Sequence, residues 1–169
     1  VDAPGCDWQA SLAKAFANPS ILLAGADTAN VYPMAVIAAG QVWAGAVEAA
    51  VEPLGGRFNI AHGVSNALLL PHVMTWNKMA CVERMQDIAE AMGVRTAHLS
   101  ANEAAHKAVE AMAALCAAVE IPQGLRSFGV PEDAIPAMAV EAAGIERLMR
   151  NNPRQLSAVD IEKIYRAAY

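Results

Sequence analysis

From residue 31 to residue 51 the sequence is apolar almost without relief, broken only by Gln41 and Glu48. A helix built from such a stretch has no face that prefers water, so it must be covered on every side. Two surroundings do that, a lipid bilayer and the centre of a helical bundle. Pro33, Gln41 and Glu48 lie inside the stretch, it is rich in Ala and Gly, and no Lys or Arg anchors flank it. These features argue against a membrane span. The segment reads as a central helix, capped by Asn30 with Pro33 in its first turn and ending near Pro53.

Composition points the same way. Hydrophobic residues make up 56% of the 169 and charged ones only 17%, so the chain has enough apolar surface to offset the entropy of ordering itself. Aromatics are 5%, and alanine supplies much of the apolar count. That favours closely packed helices over a sheet, which draws on more Val, Ile, Thr and Tyr. Charge is scarce for an isolated surface, so part of it is expected to lie against another domain or subunit, with a homo-oligomer as one outcome. The net charge of −5 offers no basic stripe for phosphates, which excludes nucleic acid as a partner. Cys6, Cys81 and Cys116 are sparse and odd in number, and the N-terminus has neither a basic region nor an apolar run. Both point to a reducing compartment, the cytoplasm.

Turn signals divide the chain into about seven helices with no strand, an all-α bundle treated as one domain over residues 1–169. A short helix over residues 8–16 is stopped by Asn18 and Pro19. Residues 55–59, with Gly55 and Gly56, read as a loop after the central helix. The next helix starts near His62 and reaches Asn77, with a kink expected at Pro71. Residues 82–92 form an amphipathic helix closed by Gly93. Ser100 with Glu103, and Ser157 with Asp160, read as capping boxes opening two more helices. Residues 124–130 form a turn, residues 132–143 a helix, and residues 151–153 a loop.

Four histidines are candidates for chemistry. His98 and His106 read as ordinary surface residues. His62 lies where a glycine-rich segment meets a helix start, a place from which a side chain reaches a cleft. His72 follows the kinking proline and suits either a ligand or a hydrogen-bonded core histidine. Glu48 and Glu52 fall one turn apart on an apolar helix, near its expected C-terminus, where repulsion and the helix dipole both disfavour them. Either that end is exposed or paired with Arg57, or the carboxylates face a cleft and bind a metal or another cation. A carboxylate-based hydrolase has no nucleophile or oxyanion loop to accompany it.

Residues 45–73 closely resemble the signature of the iron-containing (group III) alcohol dehydrogenases, above all from His62 through Gly63, Asn66, Ala67, Leu70 and Pro71 to Val73. Ile121-Pro122, Leu125-Arg126, Phe128-Gly129-Val130 and residues 151–154 follow in the family's order, so the resemblance covers residues 42–169. It implies an all-helical domain supplying the ligands of a divalent metal, usually iron and sometimes zinc. It also implies a separate α/β domain binding NAD or NADP, with hydride transfer between alcohol and aldehyde in the cleft. No phosphate-cradling glycine loop occurs in this sequence, so NAD(P) is expected only with a nucleotide-binding domain or partner subunit supplied elsewhere.

Carried onto this sequence, the resemblance makes His62 a metal ligand. It puts Glu48 where the family has a second ligand histidine, and Glu52 where it has the histidine beside the reacting nicotinamide. Asp2 falls in register with the family's ligand aspartate and Cys6 with its neighbouring histidine. The expected site is therefore Asp2, Glu48 and His62 around iron, zinc or manganese, with Cys6 as a further donor and Glu52 as the catalytic side chain. Two readings follow: the metal-site domain of an NAD(P)-dependent alcohol/aldehyde oxidoreductase, present as a fragment or truncated form not active alone, or a catalytically inactive helical module for oligomerisation or partner binding.

Overall fold

Residues 44–169 belong to one compact unit. A computed structural model describes residues 44–169, so the expected helix at 8–16, the Asn30 cap, Asp2 and Cys6 lie outside the described residues. Seven α-helices follow in order: α1 (Ala44–Phe58), α2 (His62–Asn77), α3 (Val82–Ala91), α4 (Ala101–Ala118), α5 (Ile135–Ala143), α6 (Glu146–Met149) and α7 (Ala158–Ala167). Short 3-10 turns occupy Lys78–Ala80, Leu125–Phe128 and Glu132–Ala134. No strand occurs among the described residues, and the all-α expectation holds.

Two apolar cores share α2. The larger joins Val47, Val51 and Leu54 of α1 to Leu68, Leu69 and Val73 of α2, Ile135 and Met138 of α5, and Ile161, Ile164 and Tyr165 of α7. The smaller joins Met74 of α2 to Met85 and Ala89 of α3 and to Ala105, Ala108 and Met112 of α4. Helix α2 is thus packed on two sides. No described helix is long and apolar enough to cross a membrane.

The first boundary differs from expectation. Helix α1 does not end at Pro53, and the predicted loop at residues 55–59 is its last turn and cap. Burial decides this: Val51 and Leu54 are at most 1% exposed, and their packing outweighs the weak helix preference of Pro53, Gly55 and Gly56. The stop comes at Asn59, left-handed at φ 53, whose N–H donates to Gly55 O at 3.1 Å. Glu48 and Glu52 therefore lie within α1 rather than at its C-terminus, and the dipole penalty expected there falls away.

Helix α2 likewise runs through Pro71 as one element. Pro71 has no N–H for the carbonyl of Ala67, four residues back. The Cys116 thiol of α4 donates to that oxygen at 3.3 Å, and burial raises its pKa, which keeps the donor protonated. The capping boxes Ser100/Glu103 and Ser157/Asp160 form as expected. Gly93, at φ 82, closes α3, with Val94 N–H donating to Ala89 O at 2.9 Å.

Helix α4 ends on Glu120 in the same left-handed manner, φ 57. There a Cβ costs about 1–2 kcal/mol that glycine avoids, against a smaller loss of chain entropy. Glu120→Gly is expected to raise stability by up to about 1 kcal/mol, read as a higher urea midpoint at unchanged slope. A lower midpoint would refute that reading of the cap.

Candidate metal centre

Helices α1 and α2 pack side by side, so a residue in the first half of α1 meets the first residue of α2. That residue is His62, and its Nε2 lies 3.1 Å from Glu48 Oε2. The two predicted ligands are thus brought together by α1–α2 packing, not by any local sequence spacing. Glu48 is partly screened, its side chain 30% exposed, while His62 is open at 63%, so the pair sits at the rim of the core with access from outside. One carboxylate oxygen and one imidazole nitrogen at a common point suit a borderline divalent cation such as iron, zinc or manganese.

Among the described residues no group of three or more His, Cys, Asp or Glu side chains gathers as a metal cluster. Glu48 and His62 supply two donors; Asp2 and Cys6, the other predicted ones, are outside the described residues. One further polar side chain on α2 lacks a hydrogen bond. Ser65, three residues after His62 on α2, is fully buried, and its Oγ has no hydrogen bond. The two convergent donors, Glu48 and His62, are what the described residues offer a cation.

Glu52 lies one turn beyond Glu48 on α1, half exposed, with its Oε1 3.9 Å from Arg147 Nη2 of α6. At that length, and with both groups in water, the attraction is weak. Arg57 pairs with neither glutamate: its guanidinium reaches Glu141 of α5 at 2.8 Å. His72 stands ten residues after His62 on one helix, on the order of 15 Å along the axis, too far to share an ion with it. Burial lowers its pKa, so it is a half-buried neutral imidazole with no hydrogen-bond partner among the described residues. His98 is exposed, and so is His106, which bridges Lys78 and Glu110, as expected of surface residues.

What sequence reasoning missed is a buried polar lock between the end of α2, the start of α1 and the loop before α7. Asn77, at the end of α2, and Asn152, in the loop before α7, are 2% and 7% exposed and exchange two carboxamide hydrogen bonds of 2.8 and 2.9 Å. Asn152 Oδ1 also accepts from Ala46 N–H in the first turn of α1 at 3.4 Å, and its Nδ2 donates to Arg154 O at 2.6 Å. Gly45 makes room for this loop, since a Cβ there would fall 2.7 Å from the Asn152 backbone nitrogen. The resemblance marked residues 151–154 as a motif, but only the tertiary contact shows what the second asparagine does.

The model of the Fe-containing alcohol dehydrogenase family, C-terminal part, matches residues 9–169. The chain belongs to that family. It is 42% identical over 159 residues to long-chain-alcohol dehydrogenase 1 of Geobacillus thermodenitrificans, covering 94% of this chain and 40% of that protein. Lactaldehyde reductase of Escherichia coli is 43% identical over 129 residues, 76% of this chain and 34% of the relative. Among solved structures, a 1,3-propanediol oxidoreductase superposes with a TM-score of 0.90 at 38% identity, covering 95% of this chain and 42% of that one. An alcohol dehydrogenase from Oenococcus oeni gives a TM-score of 0.89 at 34% identity, with the same coverage of both chains. This iron-containing alcohol dehydrogenase domain thus spans about two-fifths of the length of several relatives it matches. Its Glu48–His62 pair lies within the matched region.

Proposed function

We propose that this chain is the metal-holding helical part of an NAD(P)-dependent alcohol/aldehyde oxidoreductase. The observation that carries the reading is the convergence of Glu48 and His62 from two helices. In this reading Glu48 and His62 hold a divalent ion, iron by family and zinc or manganese by donor chemistry. When bound, the ion supplies Lewis-acid polarisation of the substrate oxygen.

The chain's own residues do the rest. Helix α1 places Glu48 at the rim of the core, where His62 Nε2 stands 3.1 Å from its carboxylate. Glu52, half exposed one turn on, is placed to accept a proton from a substrate hydroxyl. NAD(P) enters as a co-substrate held by a nucleotide-binding α/β domain or partner subunit, and the scarcity of surface charge suits such a partner or a homo-oligomer. The family relation and the sparse cysteines support a cytoplasmic setting.

The test is metal content by mass spectrometry after purification without chelators. Stoichiometric iron, zinc or manganese, lost in His62→Ala, is the expected result. A metal-free parent chain overturns the reading. One observation favours a second reading, the catalytically inactive module: at 3.1 Å Glu48 and His62 also satisfy each other directly. In that case the parent and His62→Ala purify equally free of metal.

A further inference from the structure

We infer that the α3–α4 hairpin opens as one cooperative unit while α1, α2, α5 and α7 stay folded. Among the described residues, α3 packs on α4 and on the 3-10 turn Lys78–Ala80, and α4 packs on that turn and on α2. No other described element meets either helix at more than isolated points. The two cores divide the same way. Of the buried side chains in the smaller one, Met74 of α2 alone comes from outside the hairpin. No buried member of the larger core lies between Val73 and Leu125, so that core loses none of them when the hairpin leaves.

The smaller core is also built from weaker material. Its buried members are Ala89, Ala105 and Ala108, with Met74, Met85, Met112 and one valine, Val109. Alanine buries little area, and methionine gives up much rotamer freedom when it is fixed. The larger core is filled mainly by Val, Leu and Ile. A hydrogen bond that ties α4 to α2 comes from the Cys116 thiol, a weak donor, to Ala67 O at 3.3 Å. Both ends of the hairpin are irregular backbone. Ahead of it the 3-10 turn leads into Cys81 at φ −149 and ψ 43, and behind it stand Glu120 at φ 57 and Gly124 at φ 87. Residues at the ends of elements absorb the backbone change when a lobe swings. A lobe with a thin core of its own and hinges at both ends is the kind of unit that opens below the global transition. Opening bares Met74, Met85 and Met112, an apolar face of adaptable side chains. The Glu48–His62 pair lies in the part that stays folded, so the inference is independent of the metal-site reading.

The experiment is native-state hydrogen exchange of the full chain, read by mass spectrometry at rising urea below the unfolding midpoint. The proteins are the parent, Met85→Ala in α3, Val109→Ala in α4 and Ile164→Val in α7. In the parent, α3 and α4 amides should exchange through one common opening, at least about tenfold more populated than the one that exposes α1, α5 and α7, and with a smaller urea dependence. Met85→Ala should speed α3 and α4 alike by about a hundredfold, and Val109→Ala should speed both by less. Ile164→Val should speed α1, α5 and α7 about fivefold and leave the hairpin at the parent's rate. A hairpin that exchanges together with the larger core, or that Ile164→Val speeds equally, overturns the inference. So does a Met85→Ala effect that spares α4.

Discussion

Asn152→Ala is expected to destabilise the chain by about 3 kcal/mol, on the order of 10 °C in melting temperature. The substitution removes a side chain that touches three places at once. It takes both carboxamide partners from Asn77, which stays buried at 2% exposure with nothing to replace them. It also takes from the Ala46 N–H of α1 the acceptor it has in Asn152 Oδ1. A buried group left unpaired costs about 1–3 kcal/mol, and two such groups are created. Gly45→Ala attacks the same lock from the other side, by forcing a Cβ against the Asn152 backbone at 2.7–2.8 Å. The two substitutions should therefore be strongly non-additive in a double-mutant cycle. Melting of Asn152→Ala within a degree or two of the parent would show that the lock carries little of the stability.

The second large effect is expected at Tyr165. Its ring is fully buried between α7, α1 and α5, and its hydroxyl donates to Ala50 O at 2.6 Å, beside the turn of α1 that Pro53 loosens. Tyr165→Ala should cost about 3–5 kcal/mol through the cavity it leaves, and Tyr165→Phe about 1–2 kcal/mol through the lost hydrogen bond. The hydroxyl also gives a pH signature. Burial first, and then the charge of Glu141, push its pKa far above the ordinary 10, with Arg57 opposing. A raised pKa means the folded state holds the proton more tightly than the unfolded chain. Its contribution is therefore complete below pH 10 and declines as the pH rises beyond that. Alkaline unfolding of the parent should steepen above that point, and Tyr165→Phe should flatten the curve. Identical alkaline profiles would contradict the assignment.

Much of the fold was legible because its signals are local. Ser100 with Glu103, Ser157 with Asp160, and Gly93 each specify a helix end through atoms within a few residues, and each end falls where those residues put it. The errors came where tertiary burial outweighs local preference. Pro53, Gly55 and Gly56 look like a stop until Leu54 is seen to be fully buried. The partner of the carbonyl that Pro71 leaves behind is the thiol of Cys116, far along the chain, which no local signal announces. The short helix Glu146–Met149 has too few residues for any period to show.

The site divides along the same line. His62 and Glu48 stood out because a family signature runs through them, and the packing of α1 on α2 brings them together. The partners of Glu52 and Arg57 are Arg147 and Glu141, more than eighty residues away in each case, and no spacing rule finds those.

The most direct measurement is thermal melting of the parent and of the Glu48→Ala/His62→Ala double variant, each with and without EDTA. If Glu48 and His62 hold an ion, the chelator lowers the melting temperature of the parent by several degrees, because an ion that binds only the folded chain stabilises it. The double variant then melts at one temperature under both conditions. A parent whose melting is indifferent to EDTA, and matched by the double variant, would contradict the metal site and leave the inactive helical module as the account of this chain.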